Sequence, residues 1–201
     1  MQKVAVFLDY ANIEAASRST GRNVDYGELL DYLADEEEGR VLQAAYAYVP
    51  IDPRLEHAKD RKIEALWEAG YIVRSKVGTI AGNSYKCDFD IEMTLDITRS
   101  SFDLKPDVIV IASGDSDFVP VVLDLRSKGI RVEVASFNYA MSEILARRCS
   151  GFISLDAVFD DYGGGEEEFS ADSPYDDDNT TPEQDDTASD GQETHEETEE
   201  A

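Results

Sequence analysis

The run Val108-Ile109-Val110-Ile111-Ala112 places five apolar residues in succession with no polar alternation, so a strand made from it needs cover on both faces. Val4 to Leu8 has the same character. Strands of this kind belong to mainly parallel sheets, whose neighbours are joined by crossover helices. The chain supplies that alternation. Strand-length apolar runs recur at Val41–Val49, Tyr71–Val73 and Ile130–Ser136, and helix-like stretches fall at Tyr26–Leu33, Leu55–Ala69, Phe89–Thr98 and Phe118–Ser127. Gly70 and Gly129 follow two of these helices, where a left-handed C-terminal turn favours glycine. A last helix near Met141–Arg148 and a short strand near Phe152–Leu155 complete one α/β domain over residues 1–160.

Residues 161–201 hold 17 of the 44 acidic residues and none of the 18 basic ones, which leaves 27 acids against 18 bases before them. This segment has too little apolar surface to offset its ordering entropy and is expected to be a disordered acidic tail. Its acids either mimic phosphate against a basic rim or only promote solubility. An acidic body is a poor electrostatic footprint for nucleic acid, unless a local basic patch or a bound cation attracts phosphate. No apolar run approaches the roughly 18 residues of a membrane helix, and no signal peptide is recognisable. Cys87 and Cys149 lack the spacing of a zinc site or a disulfide framework. A soluble cytoplasmic protein with no membrane partner is expected.

Asp9 directly follows the first apolar run, and Asp115 and Asp117 follow Val108–Ala112. Both sets therefore sit past the C-terminal ends of strands, the edge where open parallel sheets bind ligands. If those strands are neighbours, the three carboxylates converge. Carboxylates so gathered resist ionising together unless protons or a cation compensate them. The segment "KCDFDIEMTLDI", residues 86 to 97, adds Asp90 near a helix start, with Asp88 available as its cap. Asp96 lies six positions beyond Asp90, about 120° round the helix, and membership of Asp88 or Asp96 stays open. Hard carboxylate oxygens without Cys or His select Mg2+ or Mn2+. With phosphate as substrate, metal-assisted phosphodiester hydrolysis follows as the expectation.

Plainer readings exist for each residue. Asp9 and Asn12 could serve as helix caps, and Ser113, Asp115 and Asp117 as turn residues. His57 and His195 have no partner suggestive of a triad. Arg54, Lys59, Arg61, Lys62, Arg74, Lys76, Lys86, Arg147 and Arg148 acquire meaning as RNA contacts only if they rim the acidic pocket. Tyr46 and Tyr48 share a strand face, which favours core packing over stacking on bases.

Three segments carry a family resemblance: "VFLDYAN" (residues 6 to 12), "CDFDIEMTLDI" (87 to 97) and "SGDSDFVPVVLDLRSKGIRVEV" (113 to 134). In order and spacing they resemble the NYN domain family, the LabA-like branch of PIN-like nucleases. The resemblance covers roughly residues 3 to 159, ending in "MSEILARRCSGFISLDAVF". It implies a three-layer α/β/α PIN-like fold with a mainly parallel central sheet and a metal-dependent ribonuclease. By that resemblance Asp9, Asp90, Asp115 and Asp117 hold Mg2+ or Mn2+, and Asn12 orients water or phosphate. Where the family commonly shows a Lys-Gly-Val-Asp run, this chain has Lys86-Cys87-Asp88-Phe89-Asp90, one residue longer, and Asp90 fits better than Asp88.

The partners to expect are RNA and, in a homodimer, a second copy of the chain. Two other classes are weighed against the ribonuclease. A haloacid-dehalogenase-like phosphatase needs a second Asp two residues after the nucleophile, where this chain has Ala11. A regulatory protein could keep the fold and the acids while binding RNA or protein without cleavage.

Overall fold

The computed structural model describes residues 1–159 apart from 56, 58 and 83; the tail expected at 161–201 lies outside the described residues. Six strands form one sheet: β1 (Gln2–Asp9), β2 (Arg40–Ile51), β3 (Ile72–Val77), β6 (Val108–Ala112), β7 (Arg131–Ser136) and β8 (Gly151–Ser154). Their order is β3-β2-β1-β6-β7-β8 and every pairing is parallel. The chain therefore works outwards from β1 to one edge, returns to its centre at β6, and works outwards to the other. The change of direction falls between β1 and β6. A small antiparallel pair, β4 (Thr79–Ala81) with β5 (Ser84–Lys86), stands apart from the sheet.

Helices cover both faces, which is why the central strands can be wholly apolar. Val4, Val6 and Leu8 of β1 point to the side packed by α1 (Tyr10–Ser19), α2 (Tyr26–Leu33) and α3 (Asp60–Glu68), through Ile13, Leu29, Leu33 and Leu66. Ala5 and Phe7 point to the side packed by α4 (Asp90–Asp103), α5 (Val119–Ser127) and α6 (Glu143–Arg148), through Met93, Ile97, Val122, Leu125 and Leu145. This is the expected three-layer α/β/α arrangement. Each large apolar side chain so buried contributes about 1.5–3 kcal/mol relative to exposure. A short final helix, α7 (Asp156–Phe159), closes the described chain. No described helix is long and apolar enough to cross a membrane.

Local chemistry sets the boundaries. Asp25 caps α2 by accepting from the amides of Gly27 (2.8 Å) and Glu28 (3.1 Å), while Gly70 and Gly129 take the expected positive φ after α3 and α5. Several elements differ from the sequence reading. The helix expected from Leu55 begins only at Asp60, the strand expected over Tyr71–Val73 runs on through Arg74, Ser75 and Lys76 to Val77, the helix expected to end at Thr98 continues to Asp103, and the β4-β5 pair is new. β3 is an edge strand, so its polar second half needs no burial and carries no apolar signal.

One buried ion network ties the lower part of the sheet. Glu133 of β7 is 3 % exposed and accepts from Arg40 Nη1 (2.9 Å) and Nη2 (3.3 Å) and from Arg131 Nε (2.7 Å). Arg40 lies at the start of β2, so its side chain passes beneath two intervening strands. Burial alone would raise the Glu133 carboxyl; the bonds from Arg131 and Arg40 outweigh it and hold the group below its ordinary value. A carboxylate lowered on folding stabilises at neutral pH, and that contribution is lost as pH falls through its folded value. Arg40→Ala is expected to cost about 3 kcal/mol in urea unfolding at pH 7, because a buried charge loses one of its two partners. The deficit is expected to shrink on acidification towards pH 3.

Candidate metal centre

The reversal of strand order creates a cleft at the C-terminal edge between β1 and β6. Leu8 pairs with Ala112, and one residue beyond that pair both strands end in turns that carry acids. Asp9 ends β1 and caps α1, its Oδ1 accepting from the Asn12 amide at 3.2 Å. Asp115 caps a 3-10 turn over Ser116–Phe118, its Oδ1 accepting from the Asp117 amide at 2.9 Å. Phe118, 1 % exposed, anchors that turn in the core. The capping roles foreseen for these aspartates are real, and they fix where the remaining oxygens point.

Two uncharged side chains weld the turns together. Ser113, fully buried, donates to Asp9 Oδ2 at 3.0 Å and accepts from the Asp115 amide at 3.2 Å. Asn12 Oδ1 accepts from the Gly114 amide at 2.9 Å. Gly114 permits a third strand's loop to come in behind. A Cβ there would stand 2.1 Å from the Ala140 carbonyl oxygen, and Ser142 N donates to Gly114 O at 2.9 Å. Sequence alone offers Ser113 as a neighbour of the acids or, more plainly, as a small turn residue, and Gly114 as part of the same turn; the brace from the loop after β7 has no local signal.

Asp90 arrives from a different element as the first residue of α4. One carboxylate oxygen each from Asp90, Asp115 and Asp117 lie within 4.8 Å of one another. Asp9 borders this triple without joining it at that distance, and its two oxygens accept from the Asn12 amide and the Ser113 hydroxyl. Asp88 is exposed and does not cap α4, because Phe89 occupies the cap position without a side-chain bond. Asp96 turns away, accepting from the Tyr48 hydroxyl at 3.0 Å and approaching Arg74 and Arg99.

The electrostatics are those of an uncompensated cluster. Burial, then the negative charges of Asp115, Asp9, Asp88 and Asp117, push the Asp90 carboxyl up to about 6. Burial also raises Asp9, with Asp115 adding to it, and the hydrogen bonds from Asn12 and Ser113 only partly offset this. Elsewhere the chain pairs its sequestered acids: Glu14 meets Lys62, Lys59 and Arg18, Asp52 meets Arg54, and Glu133 meets Arg40 and Arg131. Among the described residues, no Lys, Arg or His forms an ion pair with Asp9, Asp90, Asp115 or Asp117. Two oxygens on one cation at about 2.0–2.6 Å each stand no more than about 5 Å apart. The triple meets that limit with all-oxygen donors and fits a hard divalent cation.

The NYN domain family model matches residues 3–156, almost the whole described chain. The protein belongs to the NYN domain family. Among relatives, the low amplitude and bright protein LabA of Synechococcus elongatus is 28 % identical over 163 residues, covering 78 % of this chain and 85 % of that one. A crystal structure of a protein of unknown function from Vibrio parahaemolyticus superposes with a TM-score of 0.66 at 25 % identity, covering 79 % of this chain and 95 % of the other. NYN domains are nuclease-like.

A carboxyl whose folded value is raised contributes stability that is complete below its unfolded value and is lost as pH rises through the folded one. Asp90→Asn removes that loss. In EDTA the variant is expected to match the wild type near pH 4 and to melt a few degrees higher above pH 7, with solvent screening limiting the gain. Millimolar Mn2+ is expected to raise the melting temperature of the wild type and to leave the variant nearly unmoved.

Proposed function

We propose that this NYN protein is a divalent-cation-dependent ribonuclease that hydrolyses phosphodiester bonds at the Asp90, Asp115 and Asp117 cluster. The observation that carries the reading is the meeting of three carboxylates from two separate elements within 4.8 Å and without a basic partner, in a chain that pairs its buried acids Glu14, Asp52 and Glu133 with cations. Mg2+ or Mn2+ suits donors that are all oxygen. When bound, such an ion activates water and neutralises charge on the phosphate under attack.

The chain's own residues have distinct tasks. Asp90, Asp115 and Asp117 hold the cation. Asp9, fixed by Asn12 N–H and the Ser113 hydroxyl, presents a second wall of negative charge that sets how closely a phosphate approaches. Asn12 spends its side-chain oxygen on Gly114, which leaves its amide nitrogen as the donor to orient water or a phosphate oxygen. Ser113 acts through Asp9 and Asp115 and is a positioning residue. RNA is the proposed substrate, and the aspartate turns form the part of the site that touches its backbone.

Cleavage of end-labelled RNA by the full chain is expected to require Mn2+ or Mg2+ and to stop in EDTA. Asp115→Asn is expected to slow it by more than about 100-fold, exceeding the 10- to 100-fold typical of changes outside the first coordination layer. Cleavage that ignores both EDTA and the substitution overturns the proposal.

A further inference from the structure

A second feature opens beside the acids and is not used by them. Between β3 and α4 lies a groove of about 560 Å³, within the size range of small-ligand sites. None of the clustered acids lines it, yet it lies close to them along the chain and across the sheet. Of its lining residues, Phe89 directly precedes Asp90 and Glu92 lies two positions after it, while Tyr48 is the register partner of Asp9. Whatever occupies the groove therefore sits next to a phosphate held at the acids.

The lining has three chemical parts. Arg74 and Lys76 of β3 and Arg99 of α4 bring three positive charges against two carboxylates, Glu92 and Asp96, which leaves the groove net positive on a negatively charged body. Phe89 and Leu95 supply apolar walls, and Leu95 is 47 % exposed. Asp96 stands at the floor with its side chain 19 % exposed. Its Oδ2 accepts from the Tyr48 hydroxyl at 3.0 Å and faces Arg74 Nε at 3.5 Å, whereas Oδ1 has only Arg99 at 3.9 Å, beyond hydrogen-bond distance. One carboxylate oxygen is thus oriented by its neighbour and still open as an acceptor.

We propose that this groove is a nucleobase subsite that receives one unpaired base next to the scissile phosphate and favours guanine. The substrate implied is single-stranded RNA, because a base edge can enter such a groove only when it is unpaired. A carboxylate accepts and never donates, so Asp96 selects bases that present N–H groups. Guanine presents its N1–H and N2 amine side by side to the open oxygen, whereas the carbonyls flanking uracil N3–H repel it. Phe89 and Leu95 take the flat faces of the base, and Arg74, Lys76 and Arg99 take the adjoining phosphate. The inference rests on the ribonuclease reading for its substrate, and on the groove alone for its base preference.

The test uses the full chain in EDTA at low salt, titrated with GMP, AMP, CMP and UMP and followed by backbone-amide NMR shifts, so that binding is read without cleavage. Shifts are expected at Arg74, Lys76 and Asp96, with GMP bound at least about five-fold more tightly than UMP, the discrimination of one good base contact. Asp96→Asn, which keeps an acceptor for Tyr48, is expected to erase the GMP-to-UMP ratio. Arg99→Gln, at an exposed position, is expected to weaken all four nucleotides alike and keep the ratio. Equal affinities in the wild type, shifts outside the groove, or a ratio that survives Asp96→Asn each overturn the proposal. Guanine-selective binding without any RNA cleavage keeps the subsite and removes the ribonuclease. EDTA-sensitive cleavage without base preference does the reverse.

Discussion

The pairing of β1 with β6 is the constraint on which the functional edge depends. Leu8 and Ala112 are register partners, and each is the last wholly buried apolar residue of its strand. Backbone hydrogen bonds thus bring two segments more than 100 residues apart in the chain to the same height. Because strand order reverses between these two strands, their following helices leave to opposite faces. A cleft opens between them. Asp9 and Asp115 stand on its two sides, and Ser113 and Asn12 lock the distance across it.

Charge is then distributed by depth and by end. On the lower part of the sheet Glu133 is buried with two arginines, and on the α1–α3 face Glu14 gathers three cations. At the upper edge Asp90, Asp115 and Asp117 have each other. An unfolded chain does not suffer this repulsion, so the folded state carries a cost at neutral pH that a cation cancels. Burial first, and then this repulsion, raise the Asp90 carboxyl. Helix α4 does double service, since its first residue meets the acids while its later turns form one wall of the adjoining groove.

Much of this was legible in the sequence for a physical reason. Unbroken apolar runs identify central parallel strands, and acids just beyond them identify the ligand edge, so Asp9, Asp115 and Asp117 could be placed before any coordinates. Asp90 was reachable through helix-start chemistry. Asp96 was undecided because helical angle alone does not say which wall faces it; the pairing with Tyr48 and Arg74 depends on β2 and β3 lying beside α4. The extent of β3 was hidden, since an edge strand need not be apolar along its length. The brace from Ala140 and Ser142 onto Gly114 is a long-range contact, and nothing in the two short segments announces their meeting.

Arg74 and Lys76 sit on a strand that, among the described residues, has no neighbour on its outer side. Such an edge is a template for unwanted pairing with another chain, and long charged side chains are a common defence against it. In β3 the residues that line the groove are therefore also guards of the sheet's open flank. Evolution of binding preference through these two positions is restricted to polar or charged replacements, because an apolar substitution that retuned the groove would at the same time invite aggregation.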